Sequence, residues 1–120
     1  MKPSPAADRL LLDHMLECIA RICEYAGQDR QAFFGSTLIQ DAVARNLQTL
    51  AESSQRLSDA SKAAEPTIAW RDIAGFRNVL VHGYLAINLD AVWRVVDQDL
   101  APLAQALERM RNSLDGREIP

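Results

Sequence analysis

The 120-residue chain lacks a long apolar run, has little cysteine or histidine, and carries no excess of positive charge. Each shortage excludes something. A membrane span takes roughly 18 consecutive apolar residues, and no stretch of this sequence approaches that length. The opening segment from Met1 to Met15 sets Asp8, Arg9 and Asp13 around its only leucine cluster, which is not the pattern of a secretory signal. The expected location is therefore the cytoplasm. Two cysteines and two histidines, widely scattered, assemble no zinc-type cluster within one chain, so no metal site is expected. Cys18 and Cys23 fall on one expected helix, about 140° apart around its axis, which is poor disulfide geometry. Both read better as small buried apolar residues. With 13 basic and 16 acidic side chains the net charge is −3, so the chain shows no general basic footprint for nucleic acid. Chemistry on any nucleic acid would need a small local positive site instead.

What is present is the composition of an ordinary globular protein, 48% hydrophobic and 24% charged, at a length that suits one domain over residues 1–120. The periodicity is helical throughout, with no strand-like alternation or hairpin signal. A first helix is expected over Pro5–Ala26, with Ser4 as N-cap, Pro5 in the first position and Gly27 as the stop. Leu11, Leu12, Met15, Ile19, Ile22, Cys23 and Ala26 share one arc, and Asp13, His14, Glu17, Arg21 and Glu24 the opposite one. After the link QDRQAFFGS, a second long helix is expected from Ser36 to about Lys62. Its apolar face is Ile39, Val43, Leu47, Leu50 and Leu57. Pro66 in AAEPT breaks the pattern. A further helix follows over Trp70–His82, ending at Gly83. The last helix starts near Leu89 behind an Asn88 cap, is bent or divided at Pro102, and fades by Gly116. Four main helices with short connectors, one of which can hold a short extra helix or turn, imply an all-α antiparallel four-helix bundle.

The informative segment is Ile73-Ala-Gly-Phe-Arg-Asn-Val-Leu-Val-His-Gly-Tyr84. Arg77, Asn78, His82 and Tyr84 bring together a permanent cation, an amide, a group that titrates near neutrality and a phenol. On a continuous helix Asn78 and His82 share a face, and Arg77 lies about 140° from His82, close enough to flank one groove. Gly83 releases the backbone so that Tyr84 can turn back toward His82, and Val79, Leu80 and Val81 can anchor the segment in a core. Spacing alone also admits a plainer reading, with a solvated arginine, a locally bonded asparagine and a histidine favoured at a helix C-terminus.

The string Arg77-Asn78-Val-Leu-Val-His82-Gly-Tyr84 resembles the Arg-x4-His-x-Tyr motif of HepT-like proteins of the HEPN superfamily. The resemblance runs over almost the whole chain. It includes Pro66-x-Ile68-x-Trp70-x-x-Ile73-x-Gly75, Asp41-Ala-Val-x-Arg45-Asn46-Leu47, Asp8-Arg9, Ile22-x-x-Tyr25 and Val92-Trp93, in order. Two departures stand out: Ala69 where the family usually has Pro, and Ala51-Glu52-Ser53 where it usually has Gly-Glu-Ala.

The resemblance implies metal-independent RNA cleavage without a cofactor, the ribose 2′-hydroxyl attacking the neighbouring phosphate. His82, with an unperturbed pKa of about 6.5, can act as base or acid. Arg77 presents a planar cationic fork to phosphate, and Asn78 orients His82 or the phosphate. One chain offers one such histidine, since His14 lies on the charged arc of the first helix. The resemblance therefore also implies a homodimer, with the two motifs flanking a composite groove whose paired Arg77 side chains supply the missing positive patch. It makes Tyr84 the acceptor of AMP from a nucleotidyltransferase antitoxin of the MntA type. Asn46, Arg45 and Asp41 are weaker site candidates, and on helical phase Asp41 and Arg45 read first as an exposed i, i+4 ion pair. The competing readings are a non-catalytic helical partner of a minimal nucleotidyltransferase and a purely structural helical dimer.

Overall fold

A computed structural model describes residues 4–76 and 88–118. They form an all-α bundle. Helix α1 covers Pro5–Ala26. Ser4 Oγ accepts from the Ala7 amide at 3.0 Å, and Gly27 ends the helix at φ 55°, a left-handed conformation natural to glycine. Helix α3 covers Thr37–Arg56 and lies along α1, with Ser36 as its cap. Leu12, Met15 and Ile22 of α1 and Val43, Leu47 and Leu50 of α3 have no exposed surface. Full burial of each such large side chain contributes about 1.5–3 kcal/mol.

Two expectations are corrected here, while the short extra helix expected in a connector is present. The link after α1 contains that helix, α2, over Arg30–Phe34, capped by Asp29, whose side chain accepts from the Ala32 amide at 3.0 Å. Phe33 is fully buried and sits 5.4 Å from the Trp93 ring. The second long helix does not run to Lys62. It stops at Arg56, Leu57 is extended, and a separate helix α4 covers Asp59–Ala63. The cause is tertiary. Asp8 of α1, only 2% exposed, accepts from the Ser58 amide (3.0 Å), Ser58 Oγ (2.6 Å) and Ser61 Oγ (2.6 Å). Those bonds hold Ser58 out of helical conformation, where its hydroxyl caps α4 through the Ser61 amide. Burial pushes the Asp8 carboxyl pKa up, but the hydrogen bonds from Ser58 and Ser61 and the nearby Lys62 charge outweigh it, leaving the pKa below its ordinary value. Finally, Cys18 is buried, and burial raises its thiol pKa, whereas Cys23 is exposed, not part of the buried arc. Both are free thiols.

Helix α5 covers Trp70–Ala74 and packs on α3. Helix α6 covers Leu89–Arg94, and the Asn88 side chain caps it by accepting from the Ala91 amide at 3.1 Å. A π-helical turn, Val95–Asp99, then leads into α7, Leu100–Glu118, which packs against α1. The last helix is thus divided as expected, but the break in register falls before Pro102 rather than on it. The Leu100 amide bonds to the Val95 carbonyl, five residues back. Pro102 has no amide to offer the carbonyl one turn earlier, so a regular turn there would leave an acceptor unpaired. The helix also continues past Gly116, held by buried Leu114 and by the ion pair from Arg9 to Asp115 at 2.5 Å. Among the described residues, no helix is long and apolar enough to cross a membrane.

Candidate active site and the cleft beside it

The four residues of the central motif, Arg77, Asn78, His82 and Tyr84, lie outside the described residues, as do Val79, Leu80, Val81 and the expected helix stop at Gly83. The elements on either side of the motif are well defined. Before it, Pro66 separates α4 from α5, and the Trp70 indole N–H donates to the Lys62 carbonyl at 3.0 Å, pinning the start of α5 to the end of α4. Ile73 and Phe76 are buried, 5% and 6% exposed. After it, Asn88 caps α6, Val92 is fully buried, and Trp93 packs on Phe33. All of these apolar side chains belong to, or pack on, one core cluster. The residues on both flanks of the motif are thus anchored on a common support.

The weaker candidates all lie on α3. The Asn46 amide nitrogen donates to the Ala42 carbonyl of its own helix at 2.8 Å, and its side chain is half-buried. Asp41 and Arg45 are exposed on α3, and no ion pair joins them. His14 is exposed, as its place on the charged arc implied, and it faces a shallow groove shared with Thr49, Glu52 and Arg56 of α3. None of these residues lines the cleft described next, which borders the segment before the motif.

Sequence reasoning passed over that cleft. It lies between α5 and the start of α7, with a volume of about 460 Å³. Its floor is apolar, built from the buried Ile73, Phe76, Leu103 and Ala106. Its rim is polar: Asp72 from α5, Gln98 and Asp99 from the π-turn, and Arg109 from α7. Arg109 Nε donates to Glu65 Oε1 at 2.8 Å, so the rim's cation is already paired. Neither the Asp72 nor the Asp99 carboxylate takes part in a hydrogen bond or ion pair among the described residues, and both residues are exposed. Phe76, on the cleft floor, is covalently joined to Arg77.

Comparison with known proteins follows this geometry closely in extent. The model of the family described as "Ribonuclease HepT-like" matches residues 15–110, from α1 through most of α7. A Methanocaldococcus jannaschii protein named "Gamma-glutamylcyclotransferase and putative RNase" is 30% identical over 89% of this chain and 49% of its own length. A second protein of that organism, named "Putative RNase", is 26% identical over 83% of this chain and 93% of its own length. The Thermococcus cleftensis protein named "Probable ribonuclease HepT" is 32% identical over 60% of this chain and 66% of its own. The chain therefore spans about half the length of the first of these relatives and nearly all of the second. No solved structure matches the chain.

Proposed function

The chain belongs to the HepT-like ribonuclease family, and from that premise we propose that it cleaves RNA through Arg77 and His82 at a groove shared by two protomers. The observation that carries this reading is the Arg77-x4-His82-x-Tyr84 string inside the segment that the family model matches. In the reaction, His82 of one protomer takes the proton from a ribose 2′-hydroxyl as its oxygen attacks the adjacent phosphorus. The P–O5′ bond breaks, and the partner's His82 returns a proton to the leaving 5′-oxygen. The products are a 2′,3′-cyclic phosphate and a free 5′-hydroxyl. Arg77 holds the negative charge that builds on the phosphoryl oxygens, a contribution worth about 10²–10³ in rate where comparable donors have been removed. Asn78 positions the imidazole or the phosphate. The pairing of two motifs also concentrates positive charge locally in a chain whose net charge is −3.

Control of this activity fits the phenol two residues beyond the histidine. A nucleotidyltransferase antitoxin joins AMP to Tyr84: the phenol oxygen attacks the α-phosphorus of ATP, the phenolic proton is lost and pyrophosphate departs. The added phosphate opposes RNA phosphate by charge and fills the groove by bulk. The protein is then the toxin half of a toxin–antitoxin pair.

Expression in a bacterial host tests both parts. Wild type should arrest growth, and His82→Ala should not. Equal toxicity from the two, or none from either, would remove the cleavage proposal. Intact mass after incubation with the nucleotidyltransferase and ATP should rise by AMP in wild type and not in Tyr84→Phe. An identical rise in both would remove the modification proposal.

A further inference from the structure

The cleft between α5 and the π-turn has the size of a small-ligand site, and its chemistry is selective. Clefts that hold small ligands span about 300–1,000 Å³, and this one measures about 460 Å³. Its floor of Ile73, Phe76, Leu103 and Ala106 suits a flat, weakly hydrated ring. Its rim sets two uncommitted carboxylates, Asp72 and Asp99, against an arginine already bonded to Glu65. A phosphate would be repelled there. A neutral group presenting hydrogen-bond donors would be held, because bonds to a charged acceptor are short and roughly twice as strong as neutral ones. The backbone adds an independent sign. Gln98 and Asp99 reach the rim from the π-turn, and a π-turn inside an α-helix is uncommon and found often at functional sites.

Resting on the reading of RNA as substrate, we propose that this cleft is a nucleobase pocket that selects guanine next to the cut phosphate. Among the four bases only guanine carries two adjacent donors, N1–H and N2–H, on its Watson–Crick edge, and one carboxylate accepts both. Adenine and cytosine place a ring acceptor beside their amino group, and uracil flanks its single donor with two carbonyls. The Gln98 amide, on the same rim, can donate to guanine O6. Phe76 on the floor is the residue that precedes Arg77 in the chain, and this adjacency is what links the cleft to the residue proposed to hold the phosphate.

Amide-resolved NMR titration of the full-length protein with guanosine, inosine, adenosine, cytidine and uridine tests this directly. Guanosine should move the amide signals of Asp72, Ile73, Phe76, Gln98 and Asp99. It should bind at least about tenfold more tightly than adenosine or uridine, in line with the discrimination of one bidentate contact. Inosine, which keeps N1–H and lacks the N2 amino group, should fall between. Replacing both carboxylates (Asp72→Asn with Asp99→Asn) should erase the guanosine preference while signals away from the cleft stay in place. The proposal fails if no nucleoside moves these signals, or if all move them alike. It also fails if the signals respond to a lysine-rich peptide or to protein concentration but not to guanosine, which would make the cleft a protein contact. The ribonuclease reading is separable. Guanosine binding without RNA cleavage keeps the pocket and removes that reading, and cleavage without base preference or guanosine binding does the reverse.

Discussion

The α1–α3 pair and the divided C-terminal helix are built from the same kinds of residue, yet they are packed to different standards. In α1 and α3 the buried positions recur at three and four residues, and the N-termini of the two helices are capped by Ser4 and Ser36. The one buried carboxylate there, Asp8, has three hydrogen bonds. The C-terminal helix instead carries a π-turn, a proline two residues into α7, and a cleft whose carboxylates are left open. The irregularity lies beside the elements that flank the Arg77–Tyr84 segment. One half of the bundle is regular and closed, and the other carries the break in register and the open cleft.

The sharpest way to break this contrast is to delete one residue from each half. Removing Gln48 from α3 rotates everything after it by about 100°, takes Leu50 and Ala51 off the core, and should abolish cooperative folding as seen by circular dichroism. Removing Asp97 from the π-turn should be tolerated, because it converts the turn to an ordinary α-helical one. If the two deletions proved equally damaging, the π-turn would be structural rather than a concession to the cleft.

Next in size are two leucine truncations. Leu47→Ala, at a site with no exposed surface, should cost about 2–5 kcal/mol in denaturant unfolding. Leu103→Ala, on the cleft floor, should cost visibly less, because water can enter the space it leaves. Equal costs would mean that the cleft is closed in solution.

The smallest effect belongs to Asp8. Loss of its bonds in Asp8→Ala should cost about 1–3 kcal/mol. Its folded-state pKa is lowered, so its contribution is fully present above the unfolded-state value, near the ordinary carboxylate pKa of 3.8, and is lost as pH falls through the folded value. Unfolding titrations should therefore show wild type losing stability below about pH 4 more steeply than Asp8→Ala. Parallel curves would mean that Ser58 and Ser61 do not hold the ionised form.

Much of the bundle was legible beforehand because its signals are local. Ser4 and Asn88 read as caps and serve as caps, Ser36 reads as the start of the second long helix and caps it, and Gly27 reads as a stop and takes a positive φ. The break at Ser58 was not legible, because it depends on a carboxylate fifty residues away. Nothing about an aspartate in a first helical turn announces its burial. The π-turn left a trace that can be read in hindsight. The buried series Val92, Val95, Leu100, Leu103, Leu107, Met110 and Leu114 steps by three or four except for one interval of five, at the turn itself. Cys23 misled because its phase borders the apolar arc, and neighbouring Ile22 fills that place instead. The motif residues are read from sequence pattern alone, since Arg77, Asn78, His82 and Tyr84 lie outside the described residues.

The central claim is chemical: Arg77 and His82 cut RNA by 2′-oxygen attack. The most direct measurement is end-group analysis of a labelled single-stranded RNA after incubation with purified protein in the presence of a chelator. The account predicts 2′,3′-cyclic phosphate and 5′-hydroxyl ends from wild type, and a loss of at least about 10²-fold in rate from His82→Ala or Arg77→Ala with folding unchanged. Intact RNA after wild-type treatment, or the same ends at the same rate from His82→Ala, would contradict it.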